Sequence, residues 1–246
     1  MPGEGYLIQG ERVAMPVRIR DANAHAAMYS VPAAAAQRII DHSGLHVLEY
    51  RPGRTVCTVL FVQYVDGDLH RYHEYGVGFL VRPVDGGPIG DGPGDLRTLI
   101  TGRAGVFIHR LPVNEEFTLE AGRTIWGFPK VMSQIDIERD DAGARGVLRL
   151  DGQLVADLRV RPGLPVPGGG LATSLDAYAH LDGHTRRIPW KLEASGTRMR
   201  PGGAELILGE HPWADELREL GLPKRAMFAS GIAHVRMTFE EAQEVG

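Results

Sequence analysis

Short segments rich in β-branched and aromatic residues recur along the whole chain, separated by turns that contain glycine, proline or aspartate. Helical signals are few, and the strands do not alternate with helices as parallel βαβ units require. The chain therefore predicts a mainly β, antiparallel architecture with few helices, curled into a barrel or cone. The predicted strands are residues 13–20, 45–50, 54–65, 69–81, 103–113, 131–138, 146–150, 153–160, 171–180, 186–195, 204–208 and 226–238, and the predicted helices are residues 33–40, 114–121 and 212–220.

Turn and cap residues refine this pattern. Ser30 lies just before the first predicted helix and Asn114 begins the second, and both are residue types that cap a helix N-terminus. Residues 85–94 are so rich in glycine and proline that they predict a long loop, mobile or lid-like. Residues 163–170 predict a bend, because strand patterns resume beyond them. We therefore expect one domain over residues 1–246.

Composition narrows the class of protein. Of the 246 residues 43% are hydrophobic, enough for a core, and the net charge of −4 gives no basic surface for nucleic acid or membrane. Cys57 is the single cysteine, which excludes an intrachain disulfide and favours a reducing compartment. The first ten residues lack a signal pattern, and no apolar run reaches 18 residues. We expect a soluble, cytoplasmic protein that acts on a small molecule.

The segment Gly122-Arg-Thr-Ile-Trp-Gly-Phe-Pro-Lys130 carries the clearest chemical signal. Burial among apolar groups disfavours the charged form of a lysine, and the neutral amine can attack a carbonyl. Only three of the 27 basic residues are lysines, namely Lys130, Lys191 and Lys224, so a lysine in this apolar segment is informative. The simpler interpretation is a surface lysine after a turn.

A second candidate is Glu74, in the predicted strand segment Tyr72-His-Glu-Tyr-Gly76. It lies between aromatic residues and leads into an apolar run. It is either a solvated strand carboxylate or a group that orients substrate and moves protons beside an amine.

The lysine segment resembles the active-site segment of the acetoacetate decarboxylase family, Gly-Arg-x-x-x-x-Phe/Tyr-Pro-Lys, in which the lysine after the proline forms an imine with a keto acid. The family also has a glutamate in a Tyr-x-Glu-x-Gly strand similar to that of Glu74. The resemblance covers most of the chain. It implies an acetoacetate decarboxylase-like barrel, a homo-oligomer without cofactor, and a lyase that decarboxylates a β-keto acid. Lys130 is then the nucleophile, and Glu74 moves protons or orients water.

The resemblance also suggests substrate-binding residues. Trp126 and Phe128 would form an apolar wall beside the lysine. Arg20, with Arg18 as a second choice, would bind the substrate carboxylate, and Gln63 would replace a further family carboxylate.

Many decarboxylases of the family have a second lysine directly after the nucleophile, where this chain has Val131. On a strand, adjacent side chains point to opposite faces, so a second lysine need not approach the reactive amine. Imine chemistry thus remains open without it. The same imine could instead support aldol addition, dehydration or cyclisation of an α-keto acid.

Two further classes stay as alternatives. His70 and His73 offer metal-ligand types but face opposite ways on a strand, and Asp182-Gly183 would break a helix carrying both His180 and His184. We therefore predict no metal, with a cupin-like metal-dependent barrel enzyme as the alternative. The second alternative is a non-catalytic barrel that binds a small molecule, in which Lys130 would form a salt bridge with an acidic group of the ligand.

Overall fold

A computed structural model of the chain describes residues 5–84, 103–166 and 170–245. The helices are α1 (Ala33–Ile40), α2 (Glu116–Ala121) and α3 (Pro212–Glu219), with a 3₁₀ turn at Asp41–Ser43 and a π-helical turn at Gly122–Trp126. The strands are β1 (Tyr6–Ile8), β2 (Glu11–Val13), β3 (Val17–Pro32), β4 (Arg54–Gly67), β5 (Tyr72–Val81), β6 (Gly105–Arg110), β7 (Gln134–Asp140), β8 (Gly143–Leu150), β9 (Gln153–Val160), β10 (Leu164–Pro165), β11 (Gly170–Leu181), β12 (His184–Ser195), β13 (Arg198–Pro201), β14 (Ala204–Leu208), β15 (Phe228–Phe239) and β16 (Gln243–Glu244).

Seven of these strands form a closed barrel in the order β15-β3-β4-β5-β6-β11-β12, because β12 also pairs with β15. Their pairings are antiparallel except for β6 and β11, which run parallel. The predicted mainly β fold with a closed barrel is confirmed. Among the described residues, no helix is long and apolar enough to cross a bilayer.

A second sheet, in the order β14-β9-β8-β7, covers the outside of this barrel. The approach is close: a Cβ added at Gly146 in β8 would lie 2.3 Å from the ring of Phe61 in β4. The buried side chains between the two sheets, among them Phe61, Tyr75, Leu148 and Leu158, are called the outer core.

The opposite face of the barrel strands forms a separate cluster, the barrel core, which includes Val62, Tyr64, Tyr72, Trp126 and Phe239. Because a separate sheet can cover only the outside of a closed barrel, this cluster lies inside the barrel. Strand alternation divides the two cores, since neighbouring residues such as Phe61 and Val62 point to opposite faces.

A β-bulge in β3 changes which residues of that strand point inward. The register with β4 shifts between Ile19 and Ala22. Ile19 and Ala22 both contribute to the barrel core although they differ in parity, because the extra residue of a bulge inverts the alternation. Arg18 and Arg20 alternate with the buried Val17 and Ile19 at the start of β3, and both are exposed.

Several local expectations were wrong. Ser30 is not a helix cap, because β3 continues to Pro32 and the Ser30 hydroxyl accepts hydrogen bonds from Tyr50 and Arg54 instead. Residues 45–50 form one isolated bridge, Val47 to Val81, rather than a strand. The predicted loop at residues 85–94 lies outside the described residues.

Candidate active site

The two glycines of the lysine segment explain its path. After α2, the π-helical turn ends at Gly127, whose φ of 68° lies in the left-handed region that favours glycine. The Phe128 amide then donates to the Gly122 carbonyl at 3.1 Å, which turns the chain back on itself. Lys130 consequently lies over Gly122, where an added Cβ would be 2.5 Å from its Cδ atom. Only glycine at position 122 leaves room for this lysine.

Lys130 is buried, with 2% of its surface exposed. Its Nζ atom lies 2.9 Å from Glu74 Oε2 and donates to Thr118 Oγ1, also at 2.9 Å. It lies 5.0 Å from the ring centroid of Tyr72, within the range of a cation–π contact. The amine is thus held between one carboxylate, one hydroxyl and one aromatic face.

Glu74 is buried as well, and both its oxygens are engaged. Oε2 faces the lysine, and Oε1 accepts a hydrogen bond from the Tyr64 hydroxyl at 2.8 Å. The Tyr64 and Tyr72 rings stack with centroids 4.1 Å apart. Burial, reinforced by the negative charge of Glu74, raises the pKa of both tyrosines well above the usual range. Both phenols are therefore neutral, and Tyr64 acts as a hydrogen-bond donor.

This arrangement permits proton exchange between the amine and the carboxylate. A buried ion pair is stabilised by its own attraction but carries a large desolvation cost for each charge. Transfer of one proton from Nζ to Glu74 removes both charges at once and leaves a neutral amine beside a neutral acid. A neutral amine is a nucleophile for carbonyl carbon, and the protonated Glu74 is a general acid within hydrogen-bond distance of it.

Trp126 and Phe128 are both buried, with ring centroids 5.6 Å apart. Trp126 also packs against Phe239 and donates its indole N–H to the Glu240 carbonyl at 2.9 Å. These rings build the apolar core next to the lysine, whereas the ring that lies over Nζ is that of Tyr72.

Arg20, expected to bind the substrate carboxylate, lies apart from Lys130. Its side chain points outward, where it is 51% exposed and pairs with Asp66 at 2.8 Å and Asp68 at 2.6 Å. Arg18 is turned outward in the same way. The structure therefore brings neither arginine into the barrel core beside Lys130.

Gln63 was also expected to bind substrate. Gln63 lies opposite His73 in the β4–β5 register, on the face that points away from Glu74. It bonds to Asn23 at 3.0 Å and to His73 at 3.3 Å. The inward residue is Tyr64, opposite Tyr72 in the register. Alternation counted from Glu74 could have identified Tyr64, but Thr118 carried no recognisable signal in the sequence.

Val131, His70 and His73 all lie away from the Lys130 amine. Val131 packs against the outer core while Lys130 points to Glu74, so these adjacent side chains do face opposite ways. His70 contacts Glu11, whereas the His73 ring contacts the Ile135 carbonyl. Within the described ranges, no group of three or more histidine, cysteine, aspartate or glutamate side chains could hold a metal ion.

Comparison with known proteins identifies the family of the chain. A family model described as acetoacetate decarboxylase (ADC) matches residues 8–241. No match was found among curated proteins. Among solved structures, acetoacetate decarboxylase from Legionella pneumophila has 17% identity and a TM-score of 0.64, covering 94% of this chain and 87% of its own.

Other similar structures have different descriptions. The enduracididine biosynthesis enzyme MppR, solved in complex with pyruvate, has 16% identity and a TM-score of 0.65, covering 100% of this chain and 98% of its own. An acetoacetate decarboxylase-like enzyme from Sphingomonas wittichii has 14% identity and a TM-score of 0.60, covering all of both chains. At these identities the structures establish a shared fold, and the family match establishes membership: the chain belongs to the acetoacetate decarboxylase family.

Proposed function

We propose that Lys130 forms a Schiff base with a keto acid and that the protein is a lyase that decarboxylates a β-keto acid. One observation carries this proposal: the Lys130 amine is buried in the barrel core, 2.9 Å from the carboxylate of Glu74. A surface lysine, the simpler alternative, is incompatible with an exposure of 2%.

The first step is activation of the amine. A proton passes from Nζ to Glu74 Oε2, leaving a neutral amine that attacks the ketone carbon of the substrate. Since Nζ is already bonded to Glu74 and Thr118, the substrate carbonyl must displace one of these contacts. The Glu74 proton then leaves with the hydroxyl group of the adduct as water, which gives a protonated imine and returns Glu74 to its carboxylate form.

The second step is cleavage of the carbon–carbon bond. The bond to the β-carboxylate breaks, carbon dioxide leaves, and the electron pair moves to the imine nitrogen to form an enamine. Glu74, which is a carboxylate after the loss of water, takes up a proton from solvent and delivers it to the enamine carbon. Water then hydrolyses the resulting imine, releasing the ketone and restoring the amine. The apolar surroundings favour these steps, because charge is neutralised as carbon dioxide leaves.

A second candidate is an imine-dependent aldol addition, dehydration or cyclisation of an α-keto acid. It is supported by the similarity to MppR, which was solved in complex with pyruvate. The TM-score to MppR is 0.65, and the TM-scores to two acetoacetate decarboxylases are 0.63 and 0.64. Here the same imine would activate the carbon next to it, and Glu74 would remove a proton from that carbon rather than deliver one.

Product analysis over a panel of β-keto and α-keto acids tests both candidates. Release of carbon dioxide from a β-keto acid supports the lyase, and a condensed or dehydrated product from an α-keto acid supports the alternative. Lys130→Arg keeps a positive charge but cannot form an imine, so it must abolish either activity. Lys191→Arg is the matched control at an exposed lysine and must retain the activity. Equal activity in both variants would refute the proposal.

A further inference from the structure

We propose that the side chains of Asn114 and His73 are positioning residues that set the contact between Lys130 and Glu74. This inference rests on the proposed role of Lys130 as a nucleophile. It gives a role to two residues whose sequence patterns suggested a helix cap and a metal ligand.

A short piece of backbone connects the two reactive residues. Val113 forms an antiparallel bridge to Glu74 on one side and a parallel bridge to Met132 on the other. Its amide donates to the carbonyl of Val131, the residue directly after Lys130, at 3.0 Å. The separation between the amine and the carboxylate therefore depends on how firmly the Val113 backbone is held against both neighbours.

Asn114 reinforces this connection on the Glu74 side. Its Oδ1 atom accepts a hydrogen bond from the His73 amide at 2.6 Å, and its own amide donates to the His73 carbonyl at 3.3 Å. His73 directly precedes Glu74, so these two bonds fix the backbone that carries the carboxylate. Helix α2, which supplies Thr118, begins two residues after Asn114. One asparagine thus connects the elements that deliver both hydrogen-bond partners of Nζ.

The His73 ring makes a second connection, on the Lys130 side. Its Nδ1 atom lies 3.1 Å from the carbonyl oxygen of Ile135, five residues after Lys130. A carbonyl only accepts, so Nδ1 carries the proton and Nε2 accepts from Gln63 at 3.3 Å. The ring lies on the face of β5 that points away from Glu74. It therefore acts through the backbone and has no direct contact with the reacting amine.

The test compares Asn114→Ala with Asn114→Asp, measuring how fast borohydride traps the keto-acid adduct of Lys130. Misplacement of a reacting group by about 1 Å costs on the order of 100-fold in rate. We expect Asn114→Ala to lower the trapping rate at saturating keto acid by roughly 10- to 100-fold. The substrate concentration for half-maximal rate should change much less. Asn114→Asp keeps an oxygen that accepts from the His73 amide and should restore most of the rate. His73→Leu removes the bond to the Ile135 carbonyl and should also lower the trapping rate.

Gln37→Ala is the matched control for stability. The Gln37 side chain accepts from the Val47 amide at 2.9 Å and donates to the Leu45 carbonyl at 2.9 Å. Like Asn114, it links two backbone segments by side-chain hydrogen bonds, but these segments do not carry Lys130 or Glu74. This variant should lose stability without slowing trapping. If Asn114→Ala lowers the melting temperature as Gln37→Ala does and leaves the trapping rate at the wild-type value, Asn114 is only structural and the inference is overturned.

A second readout keeps the inference separate from the proposed function. Acetic anhydride acetylates neutral amines, and Lys191 and Lys224 serve as internal references for Lys130 in the same digest. If wild type gives no keto-acid adduct, the proposed function fails. The positioning role is then supported if Asn114→Ala changes the relative acetylation of Lys130 severalfold. It is refuted if that ratio stays at the wild-type value.

Discussion

Gly122→Ala should reduce the reactivity of Lys130 without unfolding the protein. The new Cβ would lie 2.5 Å from Cδ and 2.6 Å from Cε of Lys130. Carbon atoms pack at about 3.5 Å or more, so the lysine chain must move by about 1 Å. Such a shift lengthens the 2.9 Å contacts of Nζ to Glu74 and Thr118 beyond hydrogen-bond range.

The expected loss is large for reactivity and small for stability. A misplacement of about 1 Å costs on the order of 100-fold in rate, equivalent to about 2.7 kcal/mol of transition-state stabilisation. Overpacking costs about 1–3 kcal/mol of folding free energy. The higher helical propensity of alanine offsets up to about 1 kcal/mol of this, because the φ of Gly122 is −63° and unstrained for alanine. The variant should therefore fold.

The assay is the rate of borohydride-trapped adduct formation, with urea unfolding measured on the same preparation. Gly231→Ala is the matched control, since an added Cβ there meets no atom within 4 Å. We expect this control to keep the wild-type rate. A trapping rate for Gly122→Ala within about twofold of the control would refute the account of how the lysine is held, because the steric shift predicts a loss far above that.

Two further variants test the buried ion pair between Lys130 and Glu74 and the buried histidine His25. Glu74→Gln leaves the buried Lys130 ammonium without its counter-charge, and we expect urea unfolding to report a loss of about 3–5 kcal/mol; an unchanged unfolding free energy would contradict a buried ion pair. Burial, reinforced by the positive charge of Arg139, lowers the pKa of His25 to about 3. Because the unfolded histidine binds its proton near pH 6.5, His25 stabilises the fold above that pH, and this contribution falls by about 1.4 kcal/mol per unit as the pH drops from 6.5 towards 3. His25→Phe should remove this slope in a pH series of urea unfolding curves; an equal slope in wild type and variant would contradict it.

The barrel was predictable because strand alternation and the lack of βαβ units are local properties of the sequence. The pair of strands that closes the barrel was not, since β12 pairs with β15 across about 40 to 50 residues of chain. The parallel pairing of β6 with β11 is likewise set by the connection between them. Local alternation predicts strands but not which distant strand becomes the partner.

The site was predictable where a short motif carried it. Lys130 and Glu74 stand out in the sequence, and the structure places them in contact. Arg20 was chosen from the resemblance alone, whereas it alternates with the buried Val17 and Ile19 and therefore points outward. Gln63 was misjudged because a one-residue error in register moves a side chain to the other face of the sheet, and Tyr64 takes the inward place.

The two caps failed for a related reason. Ser30 and Asn114 have side chains that suit a helix N-terminus, but each is used to fix a neighbouring strand instead. Serine and asparagine oxygens bond to whichever backbone or side-chain donor tertiary structure places beside them. For Asn114 that donor is the amide next to Glu74, which only the folded chain reveals.

Peptide mapping after borohydride reduction with a keto acid tests the central claim most directly. Trypsin does not cleave after a modified lysine, so an adduct at Lys130 must appear on an uncleaved peptide spanning residues 124–139, between Arg123 and Arg139. We expect this peptide to carry the reduced keto acid in wild type, and we expect Lys130→Arg to give no adduct. An adduct confined to Lys191 or Lys224, or none with any β-keto or α-keto acid, would contradict it.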